Sequence, residues 1–133
     1  MILFIDGSDI NHLTLGRASI ISDQWSLVNS NIVEVRPEGY LAAIDTFLTN
    51  EDIEGIIAVI GPGSATSLRT SLAIVNSLAL AKSIPLYGVQ ADLIGGVTAP
   101  RPLLAEPANI LLPTYHHDPV ITVSTRDSLL RTL

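Results

Sequence analysis

The spacing of hydrophobic positions changes rhythm along this chain, and each rhythm predicts a different element. Residues 1–5 (Met1-Ile2-Leu3-Phe4-Ile5) form an unbroken apolar run, the pattern of a buried strand, and Asp6-Gly7-Ser8-Asp9 predicts the turn that ends it. Residues 12–20 and 25–35 alternate loosely, with Ser22-Asp23-Gln24 as the turn between them. Alternation with period two belongs to half-buried strands, so three consecutive antiparallel strands are expected. Pro37-Glu38-Gly39 breaks the third strand. Residues 40–49 then place Leu41, Ile44, Phe47 and Leu48 at helical spacing, which predicts a short amphipathic helix.

After Asn50-Glu51-Asp52 and Gly55 comes Ile56-Ile57-Ala58-Val59-Ile60. Five apolar residues without alternation suit a strand covered on both faces, hence a central parallel one. Gly61-Pro62-Gly63-Ser64 turns the chain into a helix predicted over 66–83, which Pro85 ends, and Leu86-Tyr87-Gly88-Val89 reads as the next strand. Strand, helix and strand make a crossover unit with a parallel pair. Beyond Gln90 the rhythm fades. Gly95-Gly96 and the prolines at 100, 102, 107, 113 and 119 forbid a long helix or a central strand. Short extended pieces are expected at 109–112 and 120–123, and Ser124-Thr125-Arg126-Asp127 predicts a terminal helical turn.

The second helix has a broader apolar band than one sheet contact requires. Leu68, Leu72, Val75 and Ala79 form one face; Ile74, Leu78 and Ala81 form part of a second, widened by Ala73 and Leu80. A helix lying on one sheet needs a stripe of roughly 100°, so a wider band implies burial on two sides. Small residues at 42, 43, 73, 79 and 81 permit close helix–helix approach. The expected docking face comprises Leu41, Ile44 and Leu48 of the first helix with Leu68, Leu72, Val75 and Ala79 of the second, Leu78 lying one helical step away.

Composition supports that reading. Of 133 residues, 47% are hydrophobic and only 15% charged. The mean hydropathy is +0.45. So apolar a small domain is expected to cover some surface with another chain. No uninterrupted apolar run approaches the roughly 20 residues of a membrane-spanning helix. The first residues lack a basic leader, so no signal peptide, no membrane association and a cytoplasmic location are expected. A net charge of −6 with seven basic residues gives no footprint for direct nucleic-acid contact. The absence of cysteine excludes thiol chemistry and thiolate metal sites.

Three segments invite chemistry. The GPGS turn offers free N–H groups at a helix start, which suit a phosphate, but glycines that permit a tight turn and a Ser64 or Thr66 cap explain it better. No P-loop lysine accompanies it. Asp6-Gly7-Ser8 follows a first strand, like the acidic turn beneath the phosphates of sugar kinases and actin-type ATPases, yet such turns also form simple corners. Asp6, Ser8, Gly61, Gly63 and Ser64 are therefore the anion-site candidates. His116-His117-Asp118 suggests a metal, but adjacent side chains of an extended strand diverge, and His12 has no partner at ligand spacing. No metal, cofactor or catalytic residue is expected, and there is no GxSxG elbow.

Ile60-Gly61-Pro62-Gly63-Ser64-Ala65-Thr66-Ser67-Leu68-Arg69, then Ser71-Leu72-Ala73, Leu78-Ala79-Leu80-Ala81 and Ile84-Pro85-Leu86-Tyr87-Gly88-Val89, resembles the TsaB (YeaZ) family, whose pattern is GPGSFTGLR, GLAL and IPL-x-GV. Ile2-Leu3-Phe4-Ile5-Asp6-Gly7-Ser8 is similar to that family's first strand. Ala65 and Ser67 stand where the family usually has Phe and Gly, Gln90-Ala91-Asp92 replaces its serine-rich turn, and its second-lobe Asp-Ala-Arg segment has no counterpart. The resemblance implies an α/β fold: one actin-like (ASKHA), ribonuclease H-like lobe with a mixed sheet. The lobe would span residues 1–133, with a core at 1–90 and a shortened, proline-rich segment at 91–133. It also implies a role in threonylcarbamoyladenosine modification of tRNA, as the non-catalytic partner of a metal- and nucleotide-binding TsaD-like subunit, or as a homodimer, through the two helices. The alternative is a small phosphate- or nucleotide-binding enzyme subunit using Asp6-Gly7-Ser8 and the GPGS loop.

Overall fold

Strand β1 (Ile2–Asp9) opens the chain and lies at the middle of the sheet, flanked by a strand that follows it at once and by one that returns forty-odd residues later. The computed structural model describes residues 1–22, 24–90, 101–102, 108 and 110–114. After β1 come β2 (His12–Ile21), β3 (Gln24–Glu34), a 3₁₀ turn (Pro37–Gly39), α1 (Tyr40–Phe47), β4 (Gly55–Gly61), α2 (Ala65–Lys82), β5 (Leu86–Gln90) and the short β6 (Arg101–Pro102). The sheet order is β5-β4-β1-β2-β3-β6. β1, β2, β3 and β6 pair antiparallel in sequence, while β1–β4 and β4–β5 are parallel. This is the α/β arrangement the sequence predicts: three antiparallel strands, then a parallel crossover.

Both helices pack on one face of the sheet. Leu3 and Ile5 of β1, Leu13 and Leu15 of β2, and Ile56 and Ala58 of β4 meet Tyr40 and Ile44 of α1 and Leu72, Val75 and Ala79 of α2. Alternate residues of these strands, Phe4, Ala18, Ile57 and Val59, join Trp25 of β3 and Val89 of β5 in a second layer on the opposite face. Phe4 and Trp25 stack with ring centroids 5.8 Å apart although β2 runs between their strands. β4, buried on both faces, has the unbroken apolar run that such a strand requires.

Several boundaries differ from the sequence expectation, each for a local reason. β1 does not stop at Ile5. Asp6 pairs with Thr14 and Asp9 with His12, and the turn chemistry of Asp6-Gly7-Ser8 is absorbed as a bulge within the strand. The reversal itself falls at Ile10-Asn11, where the Asn11 N–H donates to Asp9 Oδ1 at 2.8 Å. α2 begins one residue early and ends one residue early at Lys82, closed by the left-handed backbone of Ser83 (φ 56) before Pro85 is reached. Residues 110–112 belong to no strand. Asn109, the segment 120–123, the helical turn expected from 124 and the His116-His117-Asp118 run lie outside the described residues.

Candidate functional site

The two glycine-bearing segments meet, and their backbones bond each other. Ser64 N–H donates to Ser8 O at 2.9 Å. Ser64 also caps α2, its Oγ accepting the Ser67 N–H at 3.4 Å. Gly63 lies against Ser8, and Gly61 (φ +144) against the carbonyl of Thr114, whose N–H donates to Ile60 O at 2.7 Å. On the other side, Asp6 Oδ1 accepts both Ser8 N–H at 2.9 Å and Ser8 Oγ–H at 2.6 Å. Asp6, Ser8, Gly61, Gly63 and Ser64 are thus neighbours, as an anion site would need. Three of their donors, however, are already engaged: the Ser64 N–H by β1, and the Ser8 N–H and hydroxyl by Asp6.

The space beside β1 is acidic. A hollow of about 390 Å³ is lined by Asp6, Ser8, Asp9, His12, Thr14 and Ile32. No lysine or arginine is among these lining residues. The Asn11 N–H holds the Asp9 carboxyl below the usual carboxylate range, against a smaller desolvation effect and with help from His12. A hollow with two carboxylates and no cation repels phosphate. Among the described residues no group of three His, Asp or Glu side chains is placed to hold a metal ion.

A larger, apolar hollow lies elsewhere. α1 and α2 run past each other with a groove of about 540 Å³ between them. α1 contributes Leu41, Ile44, Asp45 and Leu48; α2 contributes Ala73, Ile74, Ser77, Leu78 and Ala81. Leu41, with 66% of its surface exposed, forms the rim and Ile44, buried, the floor. This corrects the sequence expectation for α2. Leu72, Val75 and Ala79 pack against the chain's own sheet, because the strands offer the nearest continuous apolar surface, and Leu68 is buried too. The second apolar stripe is the one that reaches the groove. Its signal was present in the width of the band; which stripe faces outward was not, since both are apolar.

One polar feature had no signal in the sequence. Asn76, in mid-helix, bonds Leu111 through both atoms of its amide, Nδ2 to O at 3.0 Å and Oδ1 to N–H at 2.8 Å. A mid-helix asparagine gives no clue to a partner 35 residues away.

A mixed sheet of this order, with its crossover helix and helices on one face, defines one ribonuclease H-like/actin-like lobe. The chain belongs to the TsaD family, tRNA N6-adenosine threonylcarbamoyltransferase, whose family model matches residues 41–123. YeaZ from Pseudomonas aeruginosa shares the fold at a TM-score of 0.52 and 20% identity, covering 67% of this chain and 43% of YeaZ. A second structure, of an uncharacterized protein similar to peptidase YeaZ from the same organism, gives 0.52 and 20%, covering 67% and 42%. The TsaB (YeaZ)-like character anticipated from Ile56-to-Val89 motifs therefore holds. Uncharacterized proteins of Mycobacterium tuberculosis (strain H37Rv) and Mycobacterium bovis are 38% identical over 63 residues, which is 47% of this chain and 30% of theirs. The chain thus aligns with less than a third of the length of these curated relatives.

Proposed function

We propose that this chain is a non-catalytic assembly partner in the threonylcarbamoyladenosine modification of tRNA, docking through the α1/α2 groove onto a second copy or onto a TsaD-like subunit. The groove carries the reading: it is larger than the polar hollow by β1, it is apolar, and both its walls are helices. Ala73 and Ala81 allow a partner helix to approach closely, and Leu41, Ile74 and Leu78 supply apolar area. Covering the exposed Leu41 and the remaining surface of the half-buried Ile74 and Leu78 favours association, against the cost of bringing two chains together.

Catalysis by this chain has less support. The polar hollow by β1 is acidic, the Ser64 N–H is spent on β1, and the Ser64 hydroxyl oxygen accepts from the helix it caps. With a net charge of −6, tRNA would be held by another protein. No helix among the described residues is long and apolar enough to cross a membrane. The deciding experiment is pull-down of the native protein, looking for a TsaD-like subunit, alongside light scattering of the purified chain. A monomer that captures no such subunit overturns the proposal. So does micromolar binding of ADP or ATP in titration calorimetry, which supports a nucleotide-binding enzyme subunit instead.

A further inference from the structure

On the flank of α2 away from the groove, the chain grips a short piece of itself. The Asn76 amide bonds the N–H and C=O of Leu111, reading backbone as a neighbouring strand would. Two further backbone bonds bracket it, Ala108 N–H to Leu86 O at 2.8 Å and Thr114 N–H to Ile60 O at 2.7 Å. Of three consecutive apolar side chains only Leu111 enters the core, at 7% exposure, while Ile110 and Leu112 stay 59% and 69% exposed. The receiving surface is cut to fit. A Cβ at Gly88 would stand 3.0 Å from both Leu111 Cδ2 and Ile60 Cγ2, and a Cβ at Gly61 would collide with the Thr114 carbonyl.

These parts make a track for an extended segment: one amide that reads backbone, one hole for a leucine, and two carbonyl acceptors. We propose that the track is an exchangeable peptide site, filled in one molecule by its own strap at 110–114 and between two molecules by the strap of a second copy. Every copy carries a matched occupant, the condition for exchange between identical chains. The strap is held at separate points and joins no strand, so its release breaks few bonds at once. Asn76 lies about 200° around α2 from both Ile74 and Leu78, so exchange leaves the groove untouched. This inference does not rest on the groove reading.

The test uses the full chain carrying Leu111→Glu, which empties the hole, and a fluorescent synthetic peptide of residues 106–116. The peptide is expected to bind saturably by anisotropy, to lose at least tenfold in affinity when Asn76→Leu is added, and to fail when it carries Leu111→Glu itself. A folded Leu111→Glu chain that ignores the peptide overturns the proposal, as does binding indifferent to Asn76. Should that chain not fold, wild-type protein is titrated with the unlabelled peptide and cleavage within 110–114 is followed by limited proteolysis. Cleavage that rises with peptide supports exchange; cleavage unchanged at millimolar peptide overturns it. Any strap-exchanged dimer must also dissociate with added peptide, whereas a dimer joined at the groove must not.

Discussion

Gly63 lies so close to Ser8 that a Cβ on it would stand 2.6 Å from both the Cβ and the carbonyl oxygen of Ser8. The glycine loop is therefore seated on β1 and is not an open cradle. Two of the three nearest atoms are backbone of a central strand, which cannot turn aside as a side-chain end could. Gly63→Ala is expected to cost about 1–3 kcal/mol, the range for overpacking a tight contact. Urea unfolding followed by circular dichroism measures it. Ser64→Ala, which removes only the cap, is expected to cost about 0.5–2 kcal/mol. A Gly63→Ala chain as stable as wild type would show that the loop has room to spare.

Tyr40 links stability to alkaline pH. Its ring is fully buried, and its hydroxyl donates to Asp9 O at 3.3 Å. Burial raises the phenol above its ordinary value of 10.0; Ser67 opposes this, and the nearby charges of Asp9 and Asp6 add to it. The folded chain thus holds the proton more tightly than the unfolded one. Its contribution is complete below about pH 10 and is lost as pH rises from there through the folded-state value. Urea midpoints measured across that range are expected to fall more steeply for wild type than for Tyr40→Phe. Equal slopes would remove Tyr40 from the account. At neutral pH the substitution is expected to cost about 0.5–1.5 kcal/mol, for one hydrogen bond.

Gly88 gives a third check, on the socket beneath Leu111. An added methyl would press on Ile60 Cγ2 and Leu111 Cδ2, both ends of side chains that can shift a little. Gly88→Ala is accordingly expected to cost less than Gly63→Ala, about 1 kcal/mol. Combining it with Leu111→Ala, which vacates the hole, should give less than the sum of the two separate costs. Strict additivity in a double-mutant cycle would mean that the two residues do not share this space.

Much of this architecture was legible because it is written in periodicity. The unbroken run from Ile56 to Ile60 could serve only a strand covered on both faces, and the structure buries it so. Asp6-Gly7-Ser8 misled because carboxylate-to-backbone bonding looks the same in a bulge as in a turn; only the register of pairing with β2 distinguishes them, and the segment's own residues do not carry that register. The stripes of α2 were visible, but a helical pattern gives angles and not neighbours. Asn76 was illegible altogether, since its partner lies in a proline-rich stretch with no rhythm to locate it.

The choice between the two stripes of α2 gives the sharpest prediction. Leu72 and Val75 touch the sheet, at 2% and 0% exposure, so a carboxylate at either place would be buried unpaired. Leu72→Glu with Val75→Glu is expected to yield an insoluble or unfolded chain, and Leu72→Ala alone to cost about 2–5 kcal/mol. Ile74 and Leu78 border the groove and keep part of their surface in solvent. Ile74→Glu with Leu78→Glu is therefore expected to leave the fold and its urea midpoint nearly intact while weakening self-association or capture of a TsaD-like subunit at least tenfold. Light scattering and circular dichroism on the same samples separate the two effects. If the groove pair unfolds the chain, α2 is buried more deeply than its exposure indicates; if it folds and associates unchanged, docking takes place on another face.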